Sequence, residues 1–129
     1  MKKARATTRR RGLTFLRRQL GRVPIGHVAV SKYYPSKESW TGSPAWWFDL
    51  PLVKLQKNKC EAVYLLCEEE TGVTYLALKV PTSHLLRNLD GFCLAENGKI
   101  IRLHLSTRAE DRFVDLRGDG NVRLARFLV

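Results

Sequence analysis

The chain has 129 residues, and its first 37 carry eleven lysines and arginines without one carboxylate. The first acid is Glu38, and the remaining residues hold twelve basic and twelve acidic side chains, so the net charge of +11 comes from the N-terminal stretch. This asymmetry constrains the fold more than any other feature. Cations that repel one another oppose a compact state unless an anion neutralises them. The stretch therefore reads as an extension of a charge-balanced body, and a polyanion as its natural partner. We expect a basic arm over residues 1–22 and a folded domain over 23–129.

Length alone gives one domain, large enough to bury a real core. Hydrophobic residues make up 44% and charged residues 27%, ordinary values for a globular protein. No apolar run approaches the roughly 20 residues that cross a bilayer. The segment Thr8–Leu16 has the paired arginines of a twin-arginine signal but lacks its apolar region, because Arg17 and Arg18 follow at once. The arm also has the composition of a mitochondrial transit peptide, Arg-rich and acid-free. Cys60, Cys67 and Cys93 are an odd number and form no C-x₂-C pair, so reduced thiols and no metal site are expected. With no secretory signal, the cytoplasm is the expected compartment.

Residues 1–11 lack any apolar pattern and read as disordered. Leu13, Leu16 and Leu20 share one helical face, with Gly21 and Pro24 to end it, so Gly12–Leu20 predicts a short amphipathic helix. Strands are expected over Ile25–Tyr34, Trp46–Leu50, Ala62–Cys67 and Val73–Val80, the last two forming a hairpin. Leu52–Leu55 predicts a turn or one helical turn. Thr82 or Ser83 suits the cap of a helix running to Leu89. Asn97-Gly98, flanked by apolar runs, predicts a type I′ hairpin between Phe92–Glu96 and Lys99–Leu105. Phe113–Leu116 predicts one more strand and Val122–Val129 a final helix. The expected class is α+β, with a largely antiparallel sheet, one or two short helices and a basic N-terminal helix.

Two groups of residues point to nucleic acid. Arg9, Arg10, Arg11, Arg17, Arg18 and Arg22 can pair bidentately with phosphate oxygens. Trp40, Trp46 and Trp47 are all the tryptophans of the chain, and with Tyr33, Tyr34 and Phe48 half of the twelve aromatics fall within residues 33–48, interleaved with Lys32 and Lys37. Aromatic faces beside cations stack unpaired bases. Trp46 and Trp47 are adjacent, so in a strand one faces the core and the other faces out. Arg102 is added from a strand face. The residues expected to touch nucleic acid are thus Arg9, Arg10, Arg11, Arg17, Arg18, Arg22, Lys32, Lys37, Trp40, Trp47 and Arg102. RNA or single-stranded DNA is favoured over duplex, because no helix-turn-helix or zinc-finger pattern occurs.

Rival readings use the same body. A metal-dependent nuclease of the restriction-endonuclease type would draw on Asp49, Lys79 and Glu61, but the position two before Lys79 is Ala77 instead of an acid. His104 would serve a metal-free ribonuclease. A third reading is an interaction module whose arm enters an acidic partner or a ribonucleoprotein assembly. No cofactor, catalytic residue or membrane contact is expected.

Overall fold

The structure is a computed structural model describing residues 2–21, 26–39, 41–56 and 60–129, with side chains from Arg9 onward in the first of these ranges. The basic arm is one helix, α1 (Lys2–Leu20). It starts well before Gly12, so the disorder expected over residues 1–11 is corrected for 2–11, residue 1 lying outside the described residues: Lys, Arg and Ala are good helix formers, and no Gly or Pro interrupts them. The expected stripe anchors the helix. Leu16 is fully buried, and Leu13, Phe15 and Leu20 pack beside it. Gly12 brings α1 close to its support; a Cβ there would sit 3.1 Å from Leu66 and 3.3 Å from Val30.

Among the described residues seven strands follow: β1 (His27–Ser31), β2 (Tyr33–Tyr34), β3 (Ala45–Pro51), β4 (Ala62–Glu68), β5 (Tyr75–Pro81), β6 (Cys93–Ala95) and β7 (Ile100–Ser106). They form two sheets where one was expected, ordered β1-β4-β5 and β2-β3-β7-β6. All pairings are antiparallel except β1 on β4, which is parallel. The split arises at Lys32. The extended run from His27 to Tyr34 pairs with β4 before this residue and with β3 after it. One strand-forming stretch therefore serves both sheets, and Lys32 stands at their seam.

β4 is buried on both faces, as its unbroken apolar run implies. Tyr64 and Leu66 meet α1 together with Val28, Tyr75 and Ala77. Val63, Leu65 and Cys67 meet the second sheet, whose inner face carries Trp46, Phe48, Leu50, Ile101, Leu103 and Leu105. The layers are helix, sheet, sheet.

Short helices α2 (Leu52–Leu55) and α3 (Thr82–Arg87) fall where expected. α3 follows Pro81 directly and has no side-chain cap from Thr82 or Ser83. The hairpin at Asn97-Gly98 is present, but its turn takes four residues instead of two: Glu96 joins Asn97 and Gly98 at positive φ (52°, 57° and 83°), and Lys99 N–H donates to Ala95 O at 3.1 Å. The C-terminal stretch differs from expectation. Phe113–Leu116 makes only isolated bridges, and Val122–Val129 holds a single 3₁₀ turn, Ala125–Phe127, in place of a helix. The buried Asp115 carboxylate explains this course, because it accepts the backbone N–H groups of His104, Arg117 and Gly118 at 3.0–3.1 Å. Those fixed bonds tie the segment to β7 in an irregular path.

Candidate nucleic-acid interface

Alternation along β3 sends its two tryptophans to opposite sides, as expected. Trp46 is 3% exposed; its indole donates to Glu68 O at 2.7 Å and stacks on Phe113. Trp47 is 38% exposed on the outer face. Its indole N–H donates to Asp49 Oδ1 at 3.0 Å. Directly across on β7 stand His104, opposite Trp47, and Arg102, opposite Asp49. The Arg102 guanidinium grips Asp49 at 2.9 and 3.4 Å and lies 5.5 Å from the centre of the Trp47 ring. The His104 ring is 4.8 Å from Trp47, and Tyr34 packs against it from β2 at 6.2 Å. Lys32 sets its ammonium 5.0 Å above the Tyr34 ring. Trp47 is thus held upright by a ring of aromatic and charged neighbours.

Beside it, at the seam of the sheets, opens a pocket of about 300 Å³. Trp47, Tyr34 and Asp49 line it together with Lys32, Ser31 and Val30, and α1 contributes Arg9. Two polar contacts fix this geometry. Ser31 Oγ accepts the Trp47 backbone N–H at 2.8 Å and donates to Lys32 O at 2.8 Å, which sews β1 to β3. Arg9 Nη1 donates to Val28 O at 3.0 Å, which holds the helix cation over the strand.

Arg9, Lys32, Trp47 and Arg102, expected from scattered parts of the sequence, therefore converge. Arg10, Arg11, Arg17 and Arg18 do not reach the pocket; they are exposed on the outer side of α1. Arg10 and Arg17 are seven residues apart, as are Arg11 and Arg18, so each pair stands in a row with a rise of about 10 Å. Among the described residues no carboxylate pairs with any of the five arginines from Arg9 to Arg18. Lys37 is exposed in the turn that follows β2. Arg22 and Trp40 lie outside the described residues.

The residues of the nuclease readings are dispersed. Asp49 is paired with Arg102 on one sheet, while Lys79 lies 6.0 Å from the Tyr64 ring on the other. Glu61 is exposed ahead of β4. No group of three or more His, Cys, Asp or Glu able to hold a metal ion occurs among the described residues. His104 is 2% exposed, and its pKa falls to about 4, first through burial and then through Arg117 and Arg102, with Asp49 opposing. It is neutral at pH 7 and lacks the proton that a general acid must give.

Ser31 and Asp49 were not expected as parts of a binding surface, and Tyr34 was expected only as one of the aromatic block. The sequence also carried signals for how the expected residues meet. Lys32 and Tyr34 alternate in an extended run, so both leave on one side. Arg9 falls on the leucine stripe of α1, seven residues before Leu16, where an apolar residue is the rule. Comparison of the chain with protein families, curated proteins and solved structures finds no match. Among the described residues no helix is long and apolar enough to cross a membrane.

Proposed function

We propose that this protein binds single-stranded nucleic acid, RNA or DNA, as a non-catalytic binding protein. The arginine rows of α1 neutralise backbone phosphates, and the Trp47 wall contacts bases. One observation carries the reading: cations from α1 (Arg9), the sheet seam (Lys32) and β7 (Arg102) gather about a half-exposed tryptophan. Phosphate contacts position a strand, whereas aromatic contacts require its bases to be unpaired. Counterion release then makes affinity fall steeply with salt. The exposed arginines of α1 continue this positive surface away from the pocket.

The test is fluorescence anisotropy of labelled single-stranded RNA, single-stranded DNA and duplex DNA over a salt series with the full chain. The expected result is tighter binding to single strands and a linear fall of log affinity with log salt. Absence of binding to every polynucleotide near physiological ionic strength would overturn the proposal, as would a flat salt dependence.

A further inference from the structure

We infer that the seam pocket is a receptor for one unstacked nucleotide, its base against Trp47 and Tyr34 and its phosphate between Arg9 and Lys32. This rests on the nucleic-acid reading and narrows it from a surface to a site. The pocket volume, about 300 Å³, is at the lower end of ligand-sized cavities, which suits one nucleotide. A base held in a duplex cannot turn into it; an unpaired one can.

The lining supplies both chemistries a nucleotide requires. Trp47 and Tyr34 are aromatic. Arg9 and Lys32 are cationic, and their charge is unbalanced. The lone acid, Asp49, is already engaged by Arg102. Among the described residues no carboxylate pairs with Arg9 or Lys32. Two cations at a concave rim favour an anion of high charge density. Arg9 has donors to spare, since a guanidinium has five N–H groups and the bond to Val28 O uses one. That same bond prevents the arginine from swinging into solvent, so it is pre-set for a phosphate at little entropic cost. Asp49 Oδ2, held only at 3.4 Å by Arg102, is an acceptor on the pocket wall for a base amino group or a sugar hydroxyl.

The experiment titrates the full chain with adenosine 5′-monophosphate, adenosine, ribose 5-phosphate and inorganic phosphate, by calorimetry and by the NMR signal of the Trp47 indole N–H. The monophosphate is expected to bind roughly tenfold or more tighter than each of the other three, because only it carries a base for the aromatic rings and a phosphate for the two cations. Arg9→Gln and Lys32→Gln are each expected to weaken it roughly tenfold while leaving adenosine unchanged. Trp47→Ala is expected to erase the preference over ribose 5-phosphate, with melting temperatures confirming that the variants fold. A single-stranded pentanucleotide is expected to displace the monophosphate; coexistence of the two would overturn the assignment of this pocket to a strand. Equal binding of monophosphate and inorganic phosphate reduces the site to an anion patch and overturns the inference. Strand binding without monophosphate binding also overturns it but leaves the proposed function standing, whereas failure of both removes the two together.

Discussion

Replacing Trp46 or Trp47 by alanine separates folding from binding. Trp46 is almost wholly buried, stacks on Phe113 and satisfies Glu68 O. Its removal leaves a cavity and an orphaned carbonyl, and Trp46→Ala is expected to lower stability by about 3–5 kcal/mol. Trp47 is half-exposed, so Trp47→Ala is expected to spare most of the stability but to weaken single-strand binding by about 1–3 kcal/mol, the worth of one stacked base. Urea unfolding and anisotropy on the two variants check this, and equal stability losses would refute the division. A third residue sets a pH limit. His104 titrates near 6.5 when unfolded but at about 4 when folded, because burial and then Arg117 and Arg102 oppose its charge. As pH falls through this window the unfolded chain takes the proton first, so stability drops by up to about 1.4 kcal/mol per pH unit. His27 and His84 are also lowered, chiefly by burial, and add to the same trend. Asp115 works the other way: burial raises its folded pKa, so acid relieves the cost of its charge. The urea midpoint is expected to fall between pH 6.5 and 4.5, and His104→Gln to flatten that fall.

Among the elements, α1 joins the core to the charged surface, and Gly12 governs its approach. A leucine there must displace Leu66 and Val30, which already stand within van der Waals reach of a bare Cβ. Gly12→Leu is expected to lift the helix, at a cost of about 1–3 kcal/mol. It also breaks the Arg9 bond to Val28 O and so weakens nucleotide binding. Limited trypsin digestion should cut after Arg17 or Arg18 sooner than in the parent chain; unchanged cleavage would show that the sheet accommodates the side chain. The leucine stripe of this helix was legible, because helical spacing needs no tertiary information. Its reach to Lys2 was not, since a run of cations without apolar residues has the composition of a disordered tail as well as good helix propensity. The Asn97-Gly98 hairpin was legible for a local reason, positive φ. The change of sheet at Lys32 was not, because no breaker marks it and both halves are strand-forming. The C-terminal path was hidden for a different reason: Asp115 binds amides on both sides of it in the chain, from His104 to Gly118. The cations and Trp47 of the site could be read one at a time, but the pocket they share exists only once α1 lies across β1.

For the whole molecule, the charge asymmetry of the sequence becomes an asymmetry between the two faces of one helix. The inner face of α1 covers Val28, Tyr64, Leu66, Tyr75 and Ala77, and the outer face presents Arg10, Arg11, Arg17 and Arg18. Cutting the arm away therefore confounds two effects, since it removes cations and uncovers a core. Neutralisation separates them. The variant Arg10→Gln, Arg11→Gln, Arg17→Gln, Arg18→Gln keeps good helix formers at every position and touches no buried contact. Its stability is expected to match or exceed that of the parent, because like charges on one helix repel. Its binding is expected to differ in kind. Each phosphate contact to a single strand contributes about 0.7 to the log–log salt slope, so losing these arginines should flatten the slope by up to roughly 3. At low salt the variant binds more weakly. As salt rises the two curves converge, because the Trp47 wall is nonionic in its stacking and is intact in both. A parallel downward shift at all salt concentrations, with no change of slope, would mean that the outer arginines never meet phosphate and that the charge on α1 has another purpose.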